Sequence, residues 1–225
     1  MRKAASMLEL IIAIVVMGIA VMTLPILLLK TQSNNAYALQ QEIILAARTK
    51  MGDTLTYRWD QNSLVNYKIF VLMTNGDSDL NVSSDGIRRV GHVRGNKRRK
   101  FSSDLNSSTA VANLGPDPLG SNNLDDIDDF NGKTAVLVIP AQTTTLDYHF
   151  KDFNLTTTVV YISDTASYNN QNLTFTFDGN ESTHANHTTS IKRLTLSVKG
   201  SNNTPFIIRS YSCNIGESEL LRKAY

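Results

Sequence analysis

Residues 5–29, ASMLELIIAIVVMGIAVMTLPILLL, hold one charged side chain, Glu9. From Leu10 to Leu29 there are 20 residues without a charge. Wound as a helix they span about 30 Å, the hydrocarbon thickness of a bilayer. A carboxylate at the end of such a segment is costly to place and needs a partner. A cut between Ala4 and Ala5 supplies one, because the new amine stands about one helical turn from Glu9 along the axis. In a stack of parallel helices, the carboxylate of one subunit would equally reach the amine of the next. Arg2 and Lys3 precede the segment, and basic residues stay on the cytoplasmic side, so the C-terminal bulk is expected in the periplasm.

An ordinary secretory signal has an apolar core of about 7–15 residues followed by a small-x-small cleavage site. This core is longer and runs into Leu27-Leu28-Leu29-Lys30 without such a site. A plain signal anchor fits the length but leaves Glu9 unexplained. The short basic leader, the small residue Ala4 before the cut, the apolar helix and Glu9 at mature position five together resemble the class III signal of type IV prepilins and pseudopilins. The family usually has Gly before the cut and often Phe or Met after it, where this chain has Ala4 and Ala5. Gly18 and Pro25 fall where helix-loosening residues occur in pilins. Pro25 removes a backbone donor, which predicts a kink or a local opening.

The chain has 225 residues, room for one spanning helix and one globular domain. Its 22 basic residues against 20 acidic ones become an even balance once Arg2 and Lys3 are removed. No argument for nucleic acid survives from bulk charge. Cys213 is the sole cysteine, which excludes an intramolecular disulfide and a multi-cysteine metal site. Many major pilins close a C-terminal loop with a disulfide, so its absence favours a minor subunit. Cys213 itself, in the alternating IIRSYSC, reads as a buried core thiol.

Beyond Lys30, Ala36, Leu39, Ile43, Ala47, Met51 and Leu55 recur at three- or four-residue spacing, an amphipathic stripe leading to Tyr57 and Trp59. The expected helix therefore runs from about residue 6 to 58. After Asp60 the period changes from helical to alternating. Strands are predicted at 67–73, 87–93, 134–139, 155–162, 173–177, 191–198 and 206–213, each rich in β-branched and aromatic residues and bounded by Asn, Asp, Gly or Ser. Residues 192–198, KRLTLSV, alternate with one apolar face, as a half-exposed antiparallel strand would. Long polar connections are expected at 74–86 and 100–132.

Three features carry candidate chemistry. Asp125, Asp126, Asp128 and Asp129 precede Gly132 in a loop. Clustered carboxylates on a turning backbone suit a hard cation such as Ca²⁺. The spacing departs from an EF-hand, and the alternative is a solvated acidic turn plugged into the core by Ile127 and Phe130. The Asp-Asp-x-Asp-Asp-aromatic-x-Gly run with the IKRLTLSV strand also resembles some minor pilins of mannose-sensitive haemagglutinin-type pili. Arg88, Arg89, Arg94, Lys97, Arg98, Arg99 and Lys100 place seven positive charges in 13 residues. That tract would grip DNA phosphates or another partner; the alternative is a solvated hairpin tip, or an intramolecular or intersubunit partner for the acidic loop. Asn81, Asn106, Asn154 and Asn180 each begin an Asn-x-Ser/Thr triplet with Asp two residues upstream, which resembles the acceptor motif of bacterial periplasmic oligosaccharyltransferases. Asn172, Asn186 and Asn202 begin triplets without that Asp.

The expected architecture is α+β: a long N-terminal helix, transmembrane in its first half and amphipathic in its second, packed on an antiparallel β-sheet domain. Residues 1–4 read as leader, 5–29 as transmembrane and assembly helix, 30–60 as its amphipathic continuation and 61–225 as a periplasmic domain. The resemblance implies a minor pilin or pseudopilin of a type IV pilus or type II secretion-like filament, cut and methylated by a prepilin peptidase. Its partners would be other pilins and an inner-membrane assembly platform. The alternatives are a pilus-tip adhesin or DNA receptor using the basic tract, and a membrane-anchored periplasmic protein unrelated to pili. No nucleophile elbow or phosphate-binding Gly loop appears, and no enzyme activity is expected. No cofactor is expected either, apart from the Ca²⁺ alternative.

Overall fold

A computed structural model describes residues 7–76, 99–101, 103–117, 124–138, 152–163, 172, 184–199, 205–216 and 218–220. The expected strands at 87–93 and 173–177 lie outside these residues, as do Ala4, Ala5, Asn81, Arg88, Arg89, Arg94, Lys97, Arg98, Asn180 and Asn202.

Helix α1 runs from Met7 to Leu55. It is continuous through Pro25. Its first half is apolar on every side, and the large apolar side chains from Met7 to Leu29 are exposed. The helix is long and apolar enough to cross a membrane. By internal contacts the chain divides into two units, Met1–Ala46 and Ala47–Tyr225, so the last turns of α1 belong with the sheet-bearing unit. There the buried face is Ala47, Met51 and Thr54. Those residues stand four and three apart on one helical face. Leu55, expected in that stripe, is exposed, and the polar Thr54 takes the inward position because its hydroxyl is satisfied by the Lys50 carbonyl at 3.0 Å.

The main sheet has four antiparallel strands in chain order: β6 (Thr134–Val138), β7 (Asp152–Tyr161), β8 (Ile191–Lys199) and β9 (Phe206–Cys213). Its inner face follows from period-two geometry. On β7, Phe153, Leu155, Thr157, Val159 and Tyr161 are buried, whereas Asn154 and Thr158 are exposed. The register sets Leu155 opposite Val198, Thr157 opposite Leu196, Val159 opposite Leu194 and Tyr161 opposite Lys192. Lys192 therefore occupies an inner-face position at the end of an apolar row. β8 is also more deeply buried than a half-exposed strand, since Arg193 on its other face is 3 % exposed.

Cys213 is exposed, contrary to the core position expected for it. It stands opposite Ile191, one register step from the inner pair Lys192 and Ser212, which turns its side chain to the outer face.

Among the described residues there are also smaller pairs. β1 (Leu64–Val65) and β2 (Lys68–Ile69) form an antiparallel hairpin. Its two turn residues, Asn66 and Tyr67, have φ of 50° and 62°. Positive φ at both central positions is the backbone that a two-residue hairpin turn requires. Tyr67 is therefore a turn residue, not the start of a strand, and the strand expected over 67–73 breaks into β2 and β3 (Val71–Met73). β3 pairs in parallel with β5 (Ser103–Ser107), a departure from the wholly antiparallel arrangement expected. β4 (Arg99–Phe101) pairs antiparallel with β10 (Ser218–Leu220). Trp59, Leu72, Tyr161 and Ala185 form a buried cluster, with Val111 and Leu114 packed against it.

Candidate functional site

The acidic loop and the segment leaving α1 meet along their backbones. Arg58 forms a parallel bridge with Asp126, and the Ile127 amide donates to the Arg58 carbonyl at 2.9 Å. The Arg58 guanidinium donates to Asp125 Oδ2. A short 3₁₀ turn, Asp128–Phe130, follows and buries Asp128, Asp129 and Phe130. The Phe130 and Tyr57 rings meet edge to face with centroids 4.9 Å apart, and Lys50 Nζ lies 4.8 Å from the Phe130 centroid. The end of α1 thus packs on the loop through two aromatic rings and a lysine.

Within the loop most carboxylates point to protein groups. Asp126 Oδ1 accepts from the amides of Asp128 and Asp129, and its Oδ2 accepts from the Gln61 amide. Asp129 Oδ2 accepts from the amides of Asp125 and Asp126. These bonds, with one from Lys192 Nζ to Asp128 Oδ1, satisfy Asp126, Asp128 and Asp129, which are all no more than 3 % exposed. The solvated-turn reading is overturned at this point, although Ile127 and Phe130 do plug the core as expected. The four carboxylates do not converge on one point. Asp125 and Asp129 instead share a neighbourhood with Asp117, their nearest carboxylate oxygens lying within 4.8 Å of one another. Those are the residues that could hold a cation, but Asp125 is already paired with Arg58 and Asp129 caps two amides.

Lys192 on β8 is where Asp128 of the loop meets Trp59 and Asp60 of the segment leaving α1. Its side chain is fully buried. Nζ donates to the Trp59 carbonyl at 2.7 Å, to Asp128 Oδ1 at 2.8 Å and to Asp60 Oδ2 at 3.3 Å. The ammonium also lies 4.1 Å from the Trp59 ring centroid and 5.4 Å from that of Tyr161. Three donor protons meet three acceptors, which is what a buried ammonium needs. Asp60 is itself held, with Oδ1 accepting from the Asn62 amide and Oδ2 from the Thr109 amide. Trp59 Nε1 donates to the Ser212 carbonyl on β9, and the Tyr161 hydroxyl donates to the Thr109 carbonyl. The helix exit, the acidic loop and strands β7 to β9 are therefore tied at one buried centre.

Burial and the adjacent Asp128 carboxylate push the Asp126 carboxyl up to about 8, against the pull of Lys192 and of the Asp129 amide. Burial also raises Asp125 above the ordinary carboxylate range, with Arg58 pulling the other way. Burial, followed by the Asp60 charge, pushes the Tyr161 phenol up, so it remains a hydrogen-bond donor.

Comparison with family models, with curated proteins and with solved structures returns no match.

The remaining expected residues are spread apart. Glu9 lies exposed in the first turn of α1. Of the basic tract, Arg99 and Lys100 lie on β4, paired across to Leu220 and Glu219. Asn106 on β5 and Asn154 on β7 are exposed. The triplet at Asn186 ends in Thr188, which is buried and accepts from the Asn75 amide through Oγ1. Asp60 and Lys192 stand in no catalytic or metal-binding motif of the sequence. Its one available signal for Lys192 was parity: position 192 shares a face with Leu194, Leu196 and Val198.

Proposed function

We propose that this chain is a structural subunit, a minor pilin or pseudopilin, of a type IV pilus or type II secretion-like filament. The observation that carries the reading is α1 itself. Its first half is exposed and apolar on all sides with Glu9 in its first turn, and the same helix continues unbroken to the buried Ala47 and Met51. A bare apolar surface of that size needs lipid or other helices around it. In the membrane it is an anchor, with the N-terminus cytoplasmic and the sheet unit periplasmic; in a filament its neighbours are the helices of sibling subunits. Glu9, paired with the Ala5 amine of the same or the next subunit, sets the register, because an unpaired buried carboxylate costs several kcal/mol. The buried centre at Lys192 fits this role, since it ties the helix exit to the sheet that would remain outside the helical bundle.

The reading is tested by the mature N-terminus. Protein extracted from membranes of cells carrying a prepilin peptidase should begin at Ala5 with a methylated amine, read by N-terminal and intact-mass analysis. A mature chain starting after Lys30 would reject it.

A further inference from the structure

The centre at Lys192 is more than an ion pair in a convenient place. A primary amine and a carboxyl group are held at 2.8 Å, both essentially removed from water, with side-chain exposure of 0 % and 4 %. A second carboxyl, Asp126, adjoins Asp128, whose backbone amide donates to Asp126 Oδ1 at 2.9 Å. Two aromatic rings, those of Trp59 and Tyr161, wall the amine. These are the ingredients of an amide condensation: a nucleophile, an acyl group, a proton relay and a dry pocket.

We propose that Lys192 Nζ and Asp128 Cγ join in an intramolecular isopeptide bond, with Asp126 as the proton relay. The step is balanced without any outside reagent. One proton passes from the ammonium to the Asp128 carboxylate along their 2.8 Å hydrogen bond, giving the neutral amine and the neutral acid between which the reaction occurs. The Nζ lone pair then forms the N–C bond at Cγ. In the tetrahedral intermediate a proton leaves Nζ and, relayed by Asp126, reaches one oxygen on Cγ. That C–O bond breaks and one water departs, so an ammonium and a carboxylate become an amide and water. Nothing is oxidised or reduced. Fixed contact supplies the driving advantage, since well-oriented groups react with effective molarities of about 10⁵–10⁸ M. Asp126 holds a proton up to about pH 8 and so can donate to the carboxyl oxygen during addition.

Asp128 is the acyl partner and Asp60 is not, for two reasons. Asp60 is farther from Nζ, at 3.3 Å. Its oxygens also accept from the Asn62 and Thr109 amides, which fix the carboxylate in place, so that it turns toward the attack line of Nζ less freely than Asp128. Asp60 instead steers the amine. The bond would join residues 64 positions apart and fix the acidic loop to β8.

The test is peptide mapping of the full chain purified from membranes, denatured and digested, with tandem mass spectrometry. The expected result is one branched species that joins the Asp128 peptide to the Lys192 peptide and is lighter by one water than the two together. Lys192→Arg, which keeps the charge but has no amine to acylate, should yield the linear peptides alone. Asp126→Ala should reduce the branched fraction at least tenfold; an undiminished fraction would overturn the relay role. Linear Asp128 and Lys192 peptides as the whole of the wild-type digest would overturn the bond. A branch carried by Asp60 would overturn the assignment of Asp128. The map is independent of where the N-terminus is processed, so it fails or succeeds separately from the filament reading.

Discussion

Replacing Lys192 with Met keeps the length of the side chain and removes Nζ, the group that pairs with Asp60 and that pairs with or is joined to Asp128, so both carboxylates stay buried without it. Removing one partner of a buried pair costs about 3–5 kcal/mol, because the remaining charge has no compensation. Lys192→Met should lower the unfolding free energy by that amount. The sole tryptophan, Trp59, is buried beside the ammonium, so its fluorescence during urea unfolding reads the effect directly. A change below 1 kcal/mol, on the same scale, would mean that the centre is dispensable. Asp126 makes a separate prediction. Its carboxyl binds a proton more tightly in the fold than in the unfolded chain, with values of about 8 against 3.8. The unfolded chain therefore loses its proton first as pH rises, and the group's contribution to stability falls between those two values, by up to about 1.4 kcal/mol per pH unit. Asp126→Asn should flatten that part of the pH profile while lowering stability overall, because its amide cannot replace both acceptor oxygens. An unchanged slope would contradict the protonated carboxyl. At this scale the acidic run was legible as a feature and misread in direction: composition shows four carboxylates near one another, but not the backbone amides and the distant lysine that turn three of them inward.

The elements follow more directly from periodicity, and they fail where a turn hides inside an alternating run. β9 matches its expected bounds, and β6, β7 and β8 lie within a few residues of theirs, because β-branched runs bounded by polar residues admit few other conformations in an amphipathic setting. Residues 67–73 look equally strand-like, yet Asn66 and Tyr67 turn the chain at positive φ. The Asn-Tyr pair lacks the Gly that usually marks such a turn, so the signal was weak. Tyr67 is 98 % exposed and contributes little packing to offset its backbone strain. Tyr67→Gly should therefore stabilise the protein by about 0.5–1 kcal/mol, the scale of relieving a left-handed non-glycine residue. Urea unfolding followed at Trp59 would check it; a loss of stability would mean that the ring has a contact that matters. The parallel pairing of β3 with β5 was beyond sequence reading, since it joins short segments about 30 residues apart with no pattern of their own.

For the molecule as a whole, the two halves of α1 differ in burial, the first exposed and apolar and the second carrying the buried Ala47, Met51 and Thr54. The apolar half was legible from the sequence because 20 uncharged residues in a row leave few alternatives. The embedding of Ala47 and Met51 was legible from spacing. What spacing did not show is how the helix exit is secured, because that depends on Arg58, Trp59 and Asp60 meeting residues more than 60 positions away. In the proposed filament the helix assembles the subunit and Glu9 sets its register, while the sheet unit folds independently of that carboxylate. The most direct test of this division is the fraction of Glu9→Leu protein that enters sheared filaments when expressed beside its sibling subunits. Membrane insertion should be unimpaired, since a charge leaves the apolar segment. Incorporation should fall at least tenfold below wild type, on the order of the 1.4 kcal/mol or more that a lost buried partner represents. Glu9→Leu subunits found in filaments at the wild-type level would contradict the account.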